Sequence, residues 1–255
     1  MEVQWEAIRV ANDERPDLVV LTGDFVGYDL DWLDKLQELV AGIQAPTIAT
    51  LGNHDHWTDA VEVERTLRKA GADVLSNAWT ELELSGQRLQ VVGLDDAYTG
   101  HADVERATRG IDTSVSTLGL SHIPEEADAL WQSGVPLVLS GHTHAGQLTF
   151  GTAQRFNFAS MVGHRYVHGL YGDRGGEGAL YVSAGVGSST FGLRLGERAR
   201  SEVAIFELGA EVGAFHEHHT EQAAVLTLEE SARRRAKWKA RAERRAAKKH
   251  AADSP

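Results

Sequence analysis

Apolar residues fall along this chain in short runs of two periodicities. Leu18 to Leu21 is continuous, follows a break at Arg15-Pro16-Asp17 and ends at Thr22-Gly23-Asp24, which predicts a buried strand. Residues 2–14 before it predict a helix, as does Asp31 to Val40 after it, with Trp32, Leu33, Leu36, Leu39 and Val40 at helical spacing and a stop at Gly42. A second strand, Pro46 to Leu51, runs into Gly52-Asn53-His54-Asp55. The helix Ala60 to Ala70, closed by Gly71, precedes strands at Glu81 to Leu84 and Leu89 to Leu94, joined by a Ser85-Gly86 turn. Strand Thr117 to Leu120 ends at Ser121-His122. A helix Glu125 to Ser133 leads to strand Val135 to Leu139, which ends at Ser140-Gly141-His142-Thr143-His144. Later strands are predicted at Leu180 to Ser183 and Val203 to Leu208, and one long helix at Glu221 to Lys249.

Strands alternating with helices define an α/β chain. Four of its strands end on metal-binding side chains. In open α/β sheets ligands bind beyond the carboxyl ends of the strands, so these tips can converge. Asp24, Asn53, His122, His142 and His144 offer hard oxygen and imidazole nitrogen, a set suited to Mn, Fe or Zn rather than to calcium or a soft metal. His142 and His144, two apart, are expected on one side of an extended backbone. Taken alone, Asp24 would be an ordinary cap or turn carboxylate; its company at the other strand ends makes it a candidate ligand.

The chain has no cysteine, so disulfides, thiolate metal sites and thiol catalysis are excluded. No apolar run reaches the length of a membrane span, and the start at Met1 lacks a signal-peptide pattern, so as written the sequence reads as cytoplasmic. The net charge of -12 divides unevenly: Ser231 to His250 carries +9, whereas residues 1–230 carry -20. An acidic body repels polyanions unless cations intervene, which makes nucleic acid an unfavourable partner for it.

Gly23-Asp24, Gly52-Asn53-His54-Asp55, the isolated His122 and Gly141-His142-Thr143-His144, in that order, resemble the calcineurin-like metallophosphoesterases. Gly93-Leu94-Asp95-Asp96, Arg165-Tyr166 to Gly169-Leu170-Tyr171, and Val182 to Arg194 are similar to a bacterial and archaeal branch that includes membrane-associated phosphodiesterases and lipid-A-precursor hydrolases. The resemblance covers residues 1–209 and implies a four-layer fold, two packed mixed sheets flanked by helices. It implies a phosphomonoester or phosphodiester hydrolase with two divalent ions (Mn, Fe or Zn) and a hydroxide bridging them. Asp24 would bridge the ions; Asn53, His122 and His142 would complete one site, and His144 would belong to the other. His54, oriented by Asp55, would stabilise the transition state or protonate the leaving oxygen. His164 and Arg165 would lie near the substrate mouth.

The family also opens with a strand ending in Asp-x-His, which would precede the helix at residues 2–14. Its absence from the sequence leads to the expectation of an incomplete second metal site, a missing first strand and an N-terminally truncated domain. Membrane association would follow from such a missing segment, and the likeness to that branch tilts the expected substrate toward a lipid-linked phosphoester.

Beyond that domain, residues 210–220 form a His-rich connector with His216, His218 and His219 read as surface, and residues 221–250 a basic helix. Trp238 is the large apolar residue of the tail, a poor face for a membrane-surface helix, so a solvated helix docked on the acidic body is the leading reading. Two alternatives stay open on the residues alone: a catalytically impaired metal-binding remnant or scaffold, and a module binding nucleic acid or anionic membrane through the tail.

Overall fold

In the computed structural model, residues 2–146, 158–172, 178–187, 200–209, 222–237 and 240 are described. Helix α1 (Glu2–Asp13) leads into strand β1 (Val19–Leu21), α2 (Leu33–Ala41), β2 (Thr47–Ala49), the short α3 (Asn53–Thr58), α4 (Ala60–Lys69) and β3 (Asp73–Val74). A hairpin, β4 (Ala78–Leu84) and β5 (Gln87–Gly93), is followed by α5 (Val104–Ala107), β6 (Ser116–Ser121), α6 (Ala127–Gln132), β7 (Leu137–Ser140), α7 (Phe158–Val162), β8 (Gly169–Gly172) and β9 (Ala179–Val182).

The strands form two sheets. The smaller is parallel, in the order β1-β2-β3, and the larger runs β4-β5-β6-β7-β9-β8, with β5, β6, β7 and β9 parallel and the edge strands antiparallel to their neighbours. The alternation of side chains sorts the apolar residues into layers. Leu89 and Val91 of β5 and Leu118 and Leu120 of β6 meet Ile48 and Leu75 of the smaller sheet, so one core lies between the sheets. Val92, Val138 and Leu180 face the other way, onto Leu130 of α6. On the outer side of the smaller sheet, Ala49, Leu51 and Val74 are covered by Leu36 and Val40 of α2 and Val63 and Leu67 of α4. Helices thus flank two packed sheets, as the α/β pattern and the resemblance led one to expect. β1 lies at the sheet edge and is half-buried, whereas β2 beside it is fully buried.

Three predicted features differ. Residues 203–208 form no strand: they run along the larger sheet, with Ala204 packed on the inter-sheet core and Phe206 against the Tyr181 ring at 5.0 Å, but without a ladder. The C-terminal helix begins at Leu228, not Glu221. Gln222 instead extends beside β8, its amide donating to the Leu170 carbonyl at 2.9 Å, and the Val225 amide donates to the Arg165 carbonyl at 2.8 Å. A Thr227–Glu230 capping box then starts the helix: the Glu230 carboxylate accepts from the Thr227 amide at 3.0 Å, and Thr227 Oγ1 from the Glu230 amide at 3.2 Å. This helix docks on α7, with the buried Ser231 hydroxyl donating to the Gly163 carbonyl at 2.5 Å and Arg234 to that of Ser160 at 2.8 Å. The third difference is α3, which starts within the Gly52-Asn53-His54-Asp55 block, where the sequence pattern predicted no helix. The His-rich tract at His216, His218 and His219, and Trp238, lie outside the described residues.

Candidate metal centre

The tips of β1, β2, β6 and β7 converge because glycines let their backbones touch. A Cβ on Gly23 would lie 2.6 Å from the Gly52 nitrogen and 2.8 Å from His122 Nδ1, and a Cβ on Gly52 would lie 2.6 Å from the Asp24 nitrogen. Any side chain at either position would push two of the site-bearing loops apart.

At this junction four side chains meet around one atom. His122 Nε2 lies 3.2 Å from Asp24 Oδ2, 3.2 Å from Asn53 Oδ1 and 3.1 Å from His142 Nδ1. Asn53 and His122 are buried, and the donor atoms of Asp24, His122 and His142 all lie within 4.8 Å of one another. Donors about 2.1 Å from a common ion and at right angles would be spaced at about 3 Å, so the set fits a divalent cation. The His122 ring is held in the orientation a ligand needs, because its Nδ1 donates to the Thr22 carbonyl at 2.6 Å and so directs Nε2 inward. Asp24 is held as well, with Oδ1 accepting from the His54 amide at 2.9 Å and Oδ2 left for His122.

Charge follows burial. Burial opposes ionisation of Asp24, but the imidazoles of His122, His142 and His54 outweigh it and hold the carboxyl far below its ordinary range. Burial likewise opposes the charged form of His122, yet the Asp24 carboxylate raises it to about 9, so metal binding must displace a proton there. His142 is pushed well below its ordinary value by burial and by the neighbouring His164 and His122, which leaves a neutral ligand.

His144 does not join the converging set. His142 and His144 both take left-handed backbone, at φ of 67° and 48°, so they do not share one side of an extended segment as the two-residue spacing suggested. Asp24 and Ala145 are also left-handed, at 60° and 52°, which concentrates backbone strain in the loops of this site.

The His54 ring is oriented by the Gly27 carbonyl, 3.0 Å from Nδ1, rather than by Asp55. Asp55 is fully buried and its carboxylate accepts from the amides of Gly52 at 2.8 Å, Asp24 at 2.9 Å, Phe25 at 2.8 Å and Val26 at 3.2 Å. It ties the β1 tip to the start of α3. Burial and the charge of Asp24 raise its pKa to about 6, against the pull of those amides.

His164 and Arg165 behave differently from each other. The buried His164 ring meets His142 edge to face at 4.8 Å and is fixed by Glu125, whose carboxylate lies 3.0 Å from Nδ1. Arg165 pairs with Asp128 and its Cζ lies 4.8 Å from the Tyr166 ring centroid, so its guanidinium is engaged within the protein. Sequence reasoning missed Glu125 and His56. His56 Nε2 lies 2.6 Å from Asp95, a second fastening of α3, while Asp96 caps Thr99. No local signal pairs His56 with Asp95, which lies 39 positions further along the chain.

A cluster able to hold a metal ion, at the carboxyl ends of strands in two packed sheets, defines an α/β protein with a candidate metal centre. The family is shown by comparison: the sequence model of the calcineurin-like phosphoesterases matches residues 3–146, and the chain belongs to that family. It is 33% identical to the phosphodiesterase YaeI of Escherichia coli, over 80% of this chain and 74% of that one. It is also 30% identical to the uncharacterized metallophosphoesterase YkuE of Bacillus subtilis, over 79% of this chain and 71% of that one. A Campylobacter jejuni metallophosphoesterase, Cj0846, is 34% identical over 79% of this chain and 53% of its own length.

Proposed function

We propose that this chain is a metal-dependent phosphodiesterase. The observation that carries the reading is the meeting of Asp24, Asn53 and His142 donor atoms at His122 Nε2. These residues would hold a divalent ion, with Mn, Fe and Zn all suited to the donor set. When bound, such an ion lowers the pKa of water toward neutrality and shields the negative charge of a phosphate. His144, with Asp24, would serve a second ion.

The chain's own residues supply orientation and proton handling. Asp55 fixes the backbone at Asp24 and at Gly52, the neighbour of Asn53, by gathering four amides. His54, half-buried, keeps Nδ1–H on the Gly27 carbonyl, which turns Nε2 to the other side; in the imidazolium form that nitrogen would donate to a phosphoryl oxygen or protonate the leaving oxygen. The name of the Escherichia coli relative favours a diester over a monoester.

The test is hydrolysis of bis(4-nitrophenyl) phosphate with added Mn, beside 4-nitrophenyl phosphate as the monoester. Turnover of the diester that falls at least a hundredfold in Asn53→Ala is the expected result. A metal-loaded chain that turns over neither ester sinks the reading. A second reading, a protein that holds one ion without turnover, is favoured by the position of His144 outside the converging donors; it requires metal binding at one ion per chain with no hydrolysis.

A further inference from the structure

Exposed aromatic rings border the metal centre in an unbroken arc. Tyr28 meets His54 at 5.1 Å, His54 meets Trp57 at 5.0 Å, Trp57 meets Tyr98 at 5.7 Å, and Tyr98 meets the metal ligand His142 at 5.7 Å. Tyr28, Trp57 and Tyr98 are 63%, 53% and 49% exposed. They come from three separate segments, the loop after β1, helix α3 and the loop after β5, so no local sequence pattern groups them. Single exposed apolar residues are ordinary. Two large rings in contact, Trp57 and Tyr98, that run from the proposed proton donor His54 to the candidate ligand His142, with Tyr28 on the other side of His54, are a different matter.

We propose that Tyr28, Trp57 and Tyr98 bind a planar aromatic ring on the ester group that the phosphate retains after hydrolysis, so that the substrates are aryl or nucleoside phosphodiesters. This rests on the phosphodiesterase reading. The edge-to-face angles of 69°, 64° and 81° along the arc set successive ring faces at different tilts, so a flat guest can stack on one ring and meet the edge of the next. Tyr28, Trp57 and Tyr98 carry uncharged aromatic rings, so their own attraction for a guest is dispersive and quadrupolar rather than ionic. An alkyl chain would call for an aliphatic trough, whereas Asp29, Thr58 and Thr99 flank these rings in the chain.

The experiment uses the full chain with Mn and three diesters sharing one leaving group, the methyl, octyl and thymidine 5′ esters of 4-nitrophenyl phosphate. In each, water oxygen bonds to phosphorus and the bond to 4-nitrophenolate breaks, so differences report the retained group. The thymidine ester is expected to exceed the other two by roughly tenfold in kcat/KM, through KM, as base stacking on one aromatic side chain allows. Trp57→Ala and Tyr98→Ala should each bring that advantage to within about threefold, and Trp57→Phe should keep most of it. Equal specificity for all three esters, preference for the octyl ester, or a Trp57→Ala loss of equal size on all three would overturn the proposal.

Should no ester be turned over, the phosphodiesterase reading fails by itself, and the arc is judged by equilibrium dialysis of thymidine 5′-phosphate. Binding weakened about tenfold in Trp57→Ala upholds the aromatic subsite; unchanged binding, or none to the native chain, overturns it.

Discussion

At the residue scale, two small side chains at the centre carry opposite expectations. Gly52 has no room for a methyl group, because Asp24 and His122 occupy the space a Cβ would take. Gly52→Ala should therefore separate the loops bearing Asp24 and Asn53 and reduce metal affinity at least tenfold while the chain still folds, as isothermal titration with Mn and circular dichroism would check. Ala145 is the reverse. It is buried in left-handed backbone at φ 52° and ψ 32°, a conformation that costs a non-glycine residue roughly 1–2 kcal/mol. Ala145→Gly should stabilise the fold by about 0.5–1 kcal/mol in urea unfolding, the gain reduced by the freedom glycine adds to the unfolded chain.

At the element scale, the half-buried carboxylate of Glu202 joins the segment at residues 200–209 to the larger sheet. Glu202 accepts from Tyr181, from the Ala184 amide at 2.7 Å and from His168 Nε2 at 3.1 Å, which joins it to the end of β9 and to the approach to β8. Burial raises its pKa, but these three donors hold it down at about 2. A folded-state pKa below the unfolded one contributes stability that is complete above about pH 4.5 and lost as the pH falls toward 2. Glu202→Gln should thus cost about 2 kcal/mol at pH 7 and flatten the acid limb of the stability curve between about pH 5 and 2. Urea unfolding at several pH values measures both. The start of the C-terminal helix shows how a short-range expectation can lose to a longer contact: the sequence pattern predicts a helix from Glu221, yet Gln222 and Val225 spend their amides on the Leu170 and Arg165 carbonyls.

At the scale of the whole molecule, charge sets the expectation. Residues 1–230 carry -20, with the surplus carboxylates repelling one another across the body. Molar KCl screens that repulsion over distances of about 3 Å, so the melting temperature should rise between 0.1 M and 1 M KCl. An unchanged or lower melting temperature would show that self-repulsion does not limit stability. Among the described residues no helix is long and apolar enough to cross a membrane, and the start of the basic tail is docked on α7 through Ser231 and Arg234.

The sequence by itself determined the α/β alternation, since Leu18 to Leu21, Pro46 to Leu51 and the Ser85-Gly86 hairpin are written in the periodicity of their own residues. It also named Asp24, Asn53, His122 and His142, because metal-binding side chains at strand ends share one edge of an α/β sheet. Only the tertiary structure decided that these four meet at His122 Nε2 while His144 lies outside the set, for His142 and His144 take left-handed backbone that their two-residue spacing does not reveal. It alone gave Asp55 its amides from the β1 tip, gave His164 its Glu125, and drew Tyr28, Trp57 and Tyr98 into one arc. Periodicity is a property of neighbours in the chain; these contacts join segments distant in the chain, where packing of the sheets, and not local spacing, sets who touches whom.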